Sequence, residues 1–125
     1  MKNFAIDAYM SVEKSSLAEG GDALTIVRML YNDLLESLKA TINAMQEGDV
    51  VNKNKNLGYC VAVLHTLHIS LDRVNGGVLS ENLDMIYEWM RSKMLEALRG
   101  TDVTDLKAVE SVATDLSDAW NKLKL

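Results

Sequence analysis

The segment from Ser70 to Met90, SLDRVNGGVLSENLDMIYEWM, limits what this chain can fold into more than any other. It contains the triplet Asn-Gly-Gly at 75–77. Because glycine reaches positive φ angles at little cost, the triplet predicts the end of one helix. The hydroxyl of Ser80 can cap a second helix, and Glu81 in its first turn suits the positive end of the helix dipole. Since the connection is short, the two helices should be antiparallel neighbours.

Apolar residues recur every three or four positions along four long segments, which predicts helices over 22–48, 51–74, 80–99 and from about 104 to near the C-terminus. None of the 125 residues is proline, the main breaker of helix interiors. The sequence therefore predicts an all-α, antiparallel four-helix bundle in a single domain, 1–125, with 1–19 as a short amphipathic N-terminal segment. Residues expected to point inward are Leu24, Val27, Tyr31, Leu34, Leu38, Ile42, Met45, Leu57, Leu64, Leu67, Leu71, Leu83, Ile86, Met90, Met94, Ala97, Leu106, Val109, Ala113, Leu116, Trp120 and Leu123.

Charge and composition argue against several classes of function. The formal net charge is −5, and no basic cluster exceeds Lys53 with Lys55, so nucleic-acid binding is not expected. The single cysteine, Cys60, cannot form an internal disulfide and fits a reducing compartment. No apolar run approaches the roughly 18 residues of a membrane span, and the N-terminus lacks a signal-peptide pattern. We therefore expect a cytosolic protein that does not insert into a membrane.

The predicted helix over 51–74 is apolar around most of its circumference. Besides its inward stripe, it carries a second stripe, which consists of Gly58, Val61, Ala62, His65 and Ile69. Such a helix is normally covered on both sides. The cover is either the segment 1–19 or a partner protein, and the two are compatible if the segment can be displaced. Met85 and Trp89 lie off the inward face of the next helix and could extend a partner site, or simply pack on a neighbouring helix.

Enzymatic and metal chemistry find little support. His65, His68 and Asp72 lie close together on one helix, but a metal site needs ligands from several elements, and no other helix offers a matching motif. Asp72 more plausibly accepts hydrogen bonds from the glycine turn or the next helix. A histidine phosphotransfer site at His65 would need a lysine and a glycine where His68 and Ile69 stand. We therefore expect no enzyme activity, no metal and no cofactor.

Several short motifs in a fixed order resemble the flagellar secretion chaperone (FliS) family across nearly the whole chain. They are Ile6-Asp7-Ala8-Tyr9, Met29-Leu30-Tyr31, Gly48-Asp49, Ser70-Leu71-Asp72, Gly76-Gly77, Asn82-Leu83, Ile86-Tyr87-Glu88-Trp89-Met90 and Ala119-Trp120. The resemblance implies a cytosolic four-helix bundle that binds the disordered C-terminal part of flagellin. It also implies that the protein prevents premature polymerisation and helps to deliver flagellin to the flagellar type III export gate.

Roles for individual residues follow from combining the resemblance with the apolar pattern. We expect the client to contact Val61, His65, Ile69, Met85 and Trp89. Ile6 and Tyr9 match the family's N-terminal motif, which implies that they cap the groove and contact an export-gate component; alternatively, they anchor a loose end. Asp72, Gly76 and Gly77 are interpreted as parts of a structural turn. A homodimeric helical adaptor and a histidine phosphotransfer domain remain as alternatives, and we expect the free protein to be a monomer or weak dimer.

Overall fold

The computed structural model describes residues 20–71 and 77–123. These ranges contain four helices: α1 (Gly20–Glu47), α2 (Val50–Ile69), α3 (Gly77–Ala97) and α4 (Thr104–Lys122). α1 packs along α2 and α4, and α3 packs along the same two helices. The predicted all-α bundle is thereby confirmed for this part of the chain. None of these helices is long and apolar enough to cross a membrane.

Four residues with predicted roles lie outside the described residues: Ile6, Tyr9, Asp72 and Gly76.

Hydrogen bonds between neighbouring helices establish that they are antiparallel. Arg28, near the start of α1, donates from Nε to the carbonyl oxygen of Trp120 near the end of α4, at 3.0 Å. His68, near the end of α2, is hydrogen-bonded to Asp84 near the start of α3. The start of each helix therefore meets the end of a neighbour, which is the up-down-up-down order of a bundle with short connections.

The interior confirms most of the predicted inward stripes, but some of the predicted residues are only half-buried, namely Val27, Leu71, Ile86, Leu116 and Trp120. Leu123, just past the end of α4, is 47% exposed. Leucine and methionine fill most of it, and the fully buried residues include Leu30, Leu34, Leu38, Leu57, Leu64, Met90, Met94, Leu106 and Val109. Close packing of this apolar surface, which is removed from water on folding, supplies the main stabilisation of the bundle.

A chain of aromatic contacts crosses this core and touches all four helices. The hydroxyl groups of Tyr31 on α1 and Tyr87 on α3 are hydrogen-bonded at 2.5 Å. The ring of Trp120 on α4 lies 6.3 Å from that of Tyr31, and the ring of His68 on α2 lies 5.7 Å from that of Tyr87. Burial raises the pKa of Tyr31, so its hydroxyl stays protonated and keeps its hydrogen bond. The sequence placed Tyr31 in the core, but it did not reveal Tyr87 as its partner.

The turn between α1 and α2 follows the predicted pattern. Gly48 has a φ of +72° and ends α1, as expected. The amide of Asp49 donates to the carbonyl of Ala44 at 2.8 Å, which closes the last turn of the helix. The side chain of Asp49 then accepts from the amide of Asn52 at 3.1 Å and caps α2. One glycine and one aspartate thus join two long helices.

Two predicted helix ends are wrong. α2 ends at Ile69 and not near Val74, and α3 begins at Gly77 and not at Ser80. Ser80 is buried inside α3, on the same side as Leu83 and Tyr87, so it does not cap the helix. Burial of this core-facing side favours a helix that extends back to the glycine.

We expect Gly77→Ala to lower the free energy of unfolding by about 1 kcal/mol, because Gly77 has a φ of +53°, which alanine adopts only at a cost. A Cβ built there meets no atom within 4 Å, so the cost is conformational and not steric. Urea unfolding measures it. Gly58→Ala is the matched control, because Gly58 is helical with equally open space, and alanine there should raise stability. Unchanged stability with lost client binding in Gly77→Ala would instead assign this turn to the binding site.

Candidate docking face between α2 and α3

Two contacts hold α2 against α3, one near each end of the pair. At one end, Nε2 of His68 is hydrogen-bonded to Oδ1 of Asp84 at 2.5 Å. At the other end, the Lys53 ammonium donates to the carbonyl oxygens of Leu98 and Gly100, at 3.3 and 2.9 Å. Because the helices are antiparallel, a step toward the start of α2 corresponds to a step toward the end of α3. The two contacts therefore fix which residues lie level with each other.

The side chains between these contacts form two facing rows, which we call the α2–α3 groove. Residues three or four apart lie on the same face of a helix, so each row follows from its contact residue. The row on α2 is Asn54, Gly58, Val61, His65 and His68. The row on α3 is Asp84, Glu88, Arg91, Leu95 and Leu98. Most of these residues are exposed, so the groove is open on its outer side among the described residues.

Four of the five predicted client-binding residues lie in or beside this groove. Val61 and His65 belong to the α2 row, where Val61 is half-buried and His65 is exposed. Ile69 and Met85 each follow a residue of the His68–Asp84 contact, so both lie on the outer side of the helix pair at this end of the groove, about two positions apart along its axis. They are 54% and 70% exposed, respectively, which is high for large apolar side chains. The structure thus brings together residues that are far apart in the sequence.

Trp89 is the predicted residue that lies elsewhere. It precedes Lys93 by one helical turn, and the Lys93 ammonium lies 3.8 Å from a carboxylate oxygen of Asp105, at the start of α4. Trp89 also follows Met85 by one turn, so it lies between the outer face of α3, which carries Met85, and the side that faces α4. It is half-buried and packs against the core. Its role in client binding stays a prediction, and it lies further from the α2–α3 groove than Met85 does.

Sequence reasoning missed the apolar side chains at the other end of the groove. Leu95 and Leu98 are 44% and 47% exposed and complete the α3 row. Leu95 follows the inward residue Met94 by one position, so it lies off the core-facing stripe, and Leu98 lies just past the last residue of α3. Only the register between α2 and α3 shows that they face a second helix, and no pattern within one helix carries that information.

The histidine and acidic residues group differently from the sequence expectation. Ligand atoms of His68, Asp84 and Glu88 lie within 4.8 Å of one another. His65 is not part of this group and is exposed. His68 is already engaged by the hydrogen bond to Asp84 and by the edge of the Tyr87 ring. These contacts explain its position as a link between α2 and α3.

Cys60 is placed in a polar pocket inside the bundle and not at a reactive site. Its side chain is fully buried, and its thiol donates to the hydroxyl of Ser37 at 3.2 Å. Thr41 lies 3.7 Å from the same sulfur. Burial raises the pKa of this thiol, so the nucleophilic thiolate is disfavoured. The side chains of Ser37, Thr41 and Cys60 thus pack α1 against α2.

Comparisons with known proteins identify the family of this chain. The family model described as flagellar protein FliS matches residues 5–124. A flagellar secretion chaperone FliS from Vibrio cholerae is 27% identical over 119 residues, which cover 95% of this chain and 88% of that protein. The one from Salmonella typhimurium is 25% identical over 119 residues, covering 94% and 88%. That from Bacillus subtilis is 30% identical over 94 residues, covering 75% and 69%. With the family model matched over nearly its whole length, the chain belongs to the FliS family of flagellar proteins.

Proposed function

We propose that this protein is a cytosolic export chaperone that binds the C-terminal segment of flagellin. In this proposal, it prevents premature polymerisation and assists delivery to the flagellar type III export apparatus. Membership of the FliS family supports the export-chaperone role itself. The choice of flagellin and of its C-terminal segment goes further and rests on the resemblance and on the shape of the docking face.

The observation that carries the proposal is the exposure of large apolar side chains on a bundle whose core is otherwise complete. Ile69 and Met85 lie near each other on the outer side of adjacent helices and are more than half exposed. Scattered apolar residues need no explanation, but aligned ones beside a groove mark a surface for a partner. An amphipathic helix lying in such a groove is a recurrent mode of peptide recognition.

A disordered client suits this surface for energetic reasons. A segment that folds as it binds loses conformational entropy, which offsets roughly 2–5 kcal/mol of the gross interaction. The contact surface must therefore be long and partly apolar. The α2–α3 groove extends between two fixed contacts and has apolar side chains at both ends, which meets this requirement. Neither nucleic acid nor metal enters the proposed mechanism.

We propose that residues 1–19 cover this face until the client displaces them, and that Ile6 and Tyr9 also contact an export-gate component. The connection of this segment supports the idea. α1 begins at Gly20, at the end of the bundle where α2 ends and α3 begins, as the Arg28–Trp120 and His68–Asp84 contacts establish. The segment is therefore joined to the bundle at the end where Ile69 and Met85 are exposed.

Calorimetry with a C-terminal fragment of flagellin tests the proposal. We expect the full chain to bind the fragment, and a variant without residues 1–19 to bind it as tightly or more tightly. A cover that must be displaced lowers the apparent affinity by the fraction of molecules that are open. Absence of binding by the full chain would refute the proposed client. Weaker binding after the deletion would show that the segment contributes contacts instead of covering the face.

The exposed pair Ile69 and Met85 also suits a second copy of the chain, which is the homodimeric adaptor considered above. Sedimentation of the free protein and of its mixture with the flagellin fragment distinguishes the two. A chaperone should change from a monomer or weak dimer to a complex with the fragment. A stable dimer that ignores the fragment would favour the adaptor.

A further inference from the structure

The α2–α3 groove carries opposite charges in its two halves. Glu81 and Glu88 are exposed on α3 near the end of the groove marked by His68. Arg91, at the middle of the α3 row, and Arg99, beside the end marked by Lys53, are also exposed. No carboxylate among the described residues forms an ion pair with either arginine. A ligand in this groove therefore meets a negative end and a positive end.

The dimensions of the groove suit a single helix. Its two fixed contacts involve Lys53 and His68, which are fifteen positions apart, or about 22 Å at 1.5 Å per residue. A helix of about four turns has this length. Gly58 lacks a side chain in the middle of the α2 row, and a Cβ built there meets no atom within 4 Å. This leaves room for a helix to approach α2.

The positive end also has a formed apolar surface. An open depression of about 520 Å³ is lined by Ser92, Leu95, Glu96, Leu98 and Arg99. Glu96 faces the Lys93 ammonium at 3.5 Å, so part of its charge is compensated. The carbonyls of Leu98 and Gly100 are held by Lys53. The depression is therefore built on a fixed backbone and not on a free loop.

We propose that the groove binds one amphipathic helix of the client in a single direction, parallel to α2 and antiparallel to α3. This inference rests on the proposed function. The N-terminal turn of a helix carries a partial positive charge and favours acidic side chains, while the C-terminal turn favours basic ones. Acidic side chains in the first two turns then lie beside Arg99 and Arg91, and basic side chains in the last two turns lie beside Glu88 and Glu81. In the reverse direction like charges face each other at both ends.

Charge reversal tests the electrostatic part. We expect the double variant R91E/R99E to bind the C-terminal flagellin fragment about tenfold more weakly than the parent at low salt, with the difference shrinking as salt rises. The control is K39E/K107E, which changes the net charge equally on exposed residues of α1 and α4 and should bind like the parent. R91Q/R99Q should show a smaller loss, and helicity by circular dichroism confirms folding. A folded R91E/R99E with parental affinity overturns the assignment.

Paramagnetic labels test the direction. Cys60 is buried, so nitroxide reagents should label single cysteines introduced at exposed Thr101 or Asn82, one near each end of the groove. With an isotope-labelled flagellin fragment, the Thr101→Cys label should broaden signals at the N-terminal end of the bound helix, and the Asn82→Cys label those at its C-terminal end. The opposite pattern overturns the proposed direction. A parent chain that does not bind the fragment refutes the proposed function, whereas binding that ignores both arginines refutes only this inference. If the parent chain is a dimer and R91E/R99E is a monomer, the groove binds a second copy of the chain instead of the client.

Discussion

Ile69→Asp is expected to weaken binding of the flagellin C-terminal fragment about 100-fold, or roughly 2.8 kcal/mol, while the protein stays folded. Ile69 is the last residue of α2, and 54% of it is exposed, so the free protein can hydrate a carboxylate there. In the complex the same position is covered by the client, and a buried carboxylate without a partner is strongly unfavourable. The substitution should therefore weaken the affinity for the client while hardly changing the stability of the folded protein. Calorimetry and thermal unfolding measure the two.

The control for this prediction is Leu79→Asp. Leu79 is 62% exposed in the first turn of α3 and belongs to the same end of the bundle as Ile69. It lies four turns before Lys93, which faces Asp105, so it belongs to the α4 side of the helix. If the α2–α3 groove is the site, this variant should bind within about twofold of the parent. If Leu79→Asp abolishes binding and Ile69→Asp does not, the client lies on the face that contains Trp89.

The helices themselves could be predicted because their information is local. Leu34, Leu38 and Leu64 recur at the helical period, and the structure buries all three. Gly48 ends α1 as expected, since a positive φ next to a cap is encoded by two adjacent residues. The predicted start of α3 was wrong because Ser80 is a good local capping residue. In the folded protein its side chain is buried instead, and the helix begins three residues earlier, at Gly77.

The residues of the candidate site could be predicted only in part, because the site depends on the register between α2 and α3. The apolar stripe of α2 indicated Val61, His65 and Ile69, and the structure places Met85 on the same outer side as Ile69. Nothing within one helix reveals that Leu95 faces α2. That fact follows from the contacts of Lys53 and His68 with α3 and the residues just after it. Neither contact has a sequence pattern, because each joins residues far apart in the chain.

Lys53 illustrates why the register depends on polar groups as well as on apolar packing. Only 7% of this lysine is exposed, and its ammonium donates to two carbonyl oxygens just beyond the end of α3. The last carbonyls of a helix have no partner within it, and a cation there also favours the negative end of the dipole. The sequence showed Lys53 only as one of two basic residues near the start of α2. Its burial results from the antiparallel packing.

We expect Lys53→Met to lower the free energy of unfolding by about 2 kcal/mol, since hydrogen bonds to a charged group contribute about 1.5–3 kcal/mol and methionine keeps only the apolar stem. Lys55→Met, two residues further on and exposed, should change it by less than about 0.5 kcal/mol. Urea unfolding of both variants measures the difference, and hydrogen exchange should be faster at residues 98–103 in Lys53→Met alone. A more stable Lys53→Met would mean that desolvation of the ammonium outweighs its hydrogen bonds. Apolar packing alone would then fix the end of α3 and the positive end of the groove.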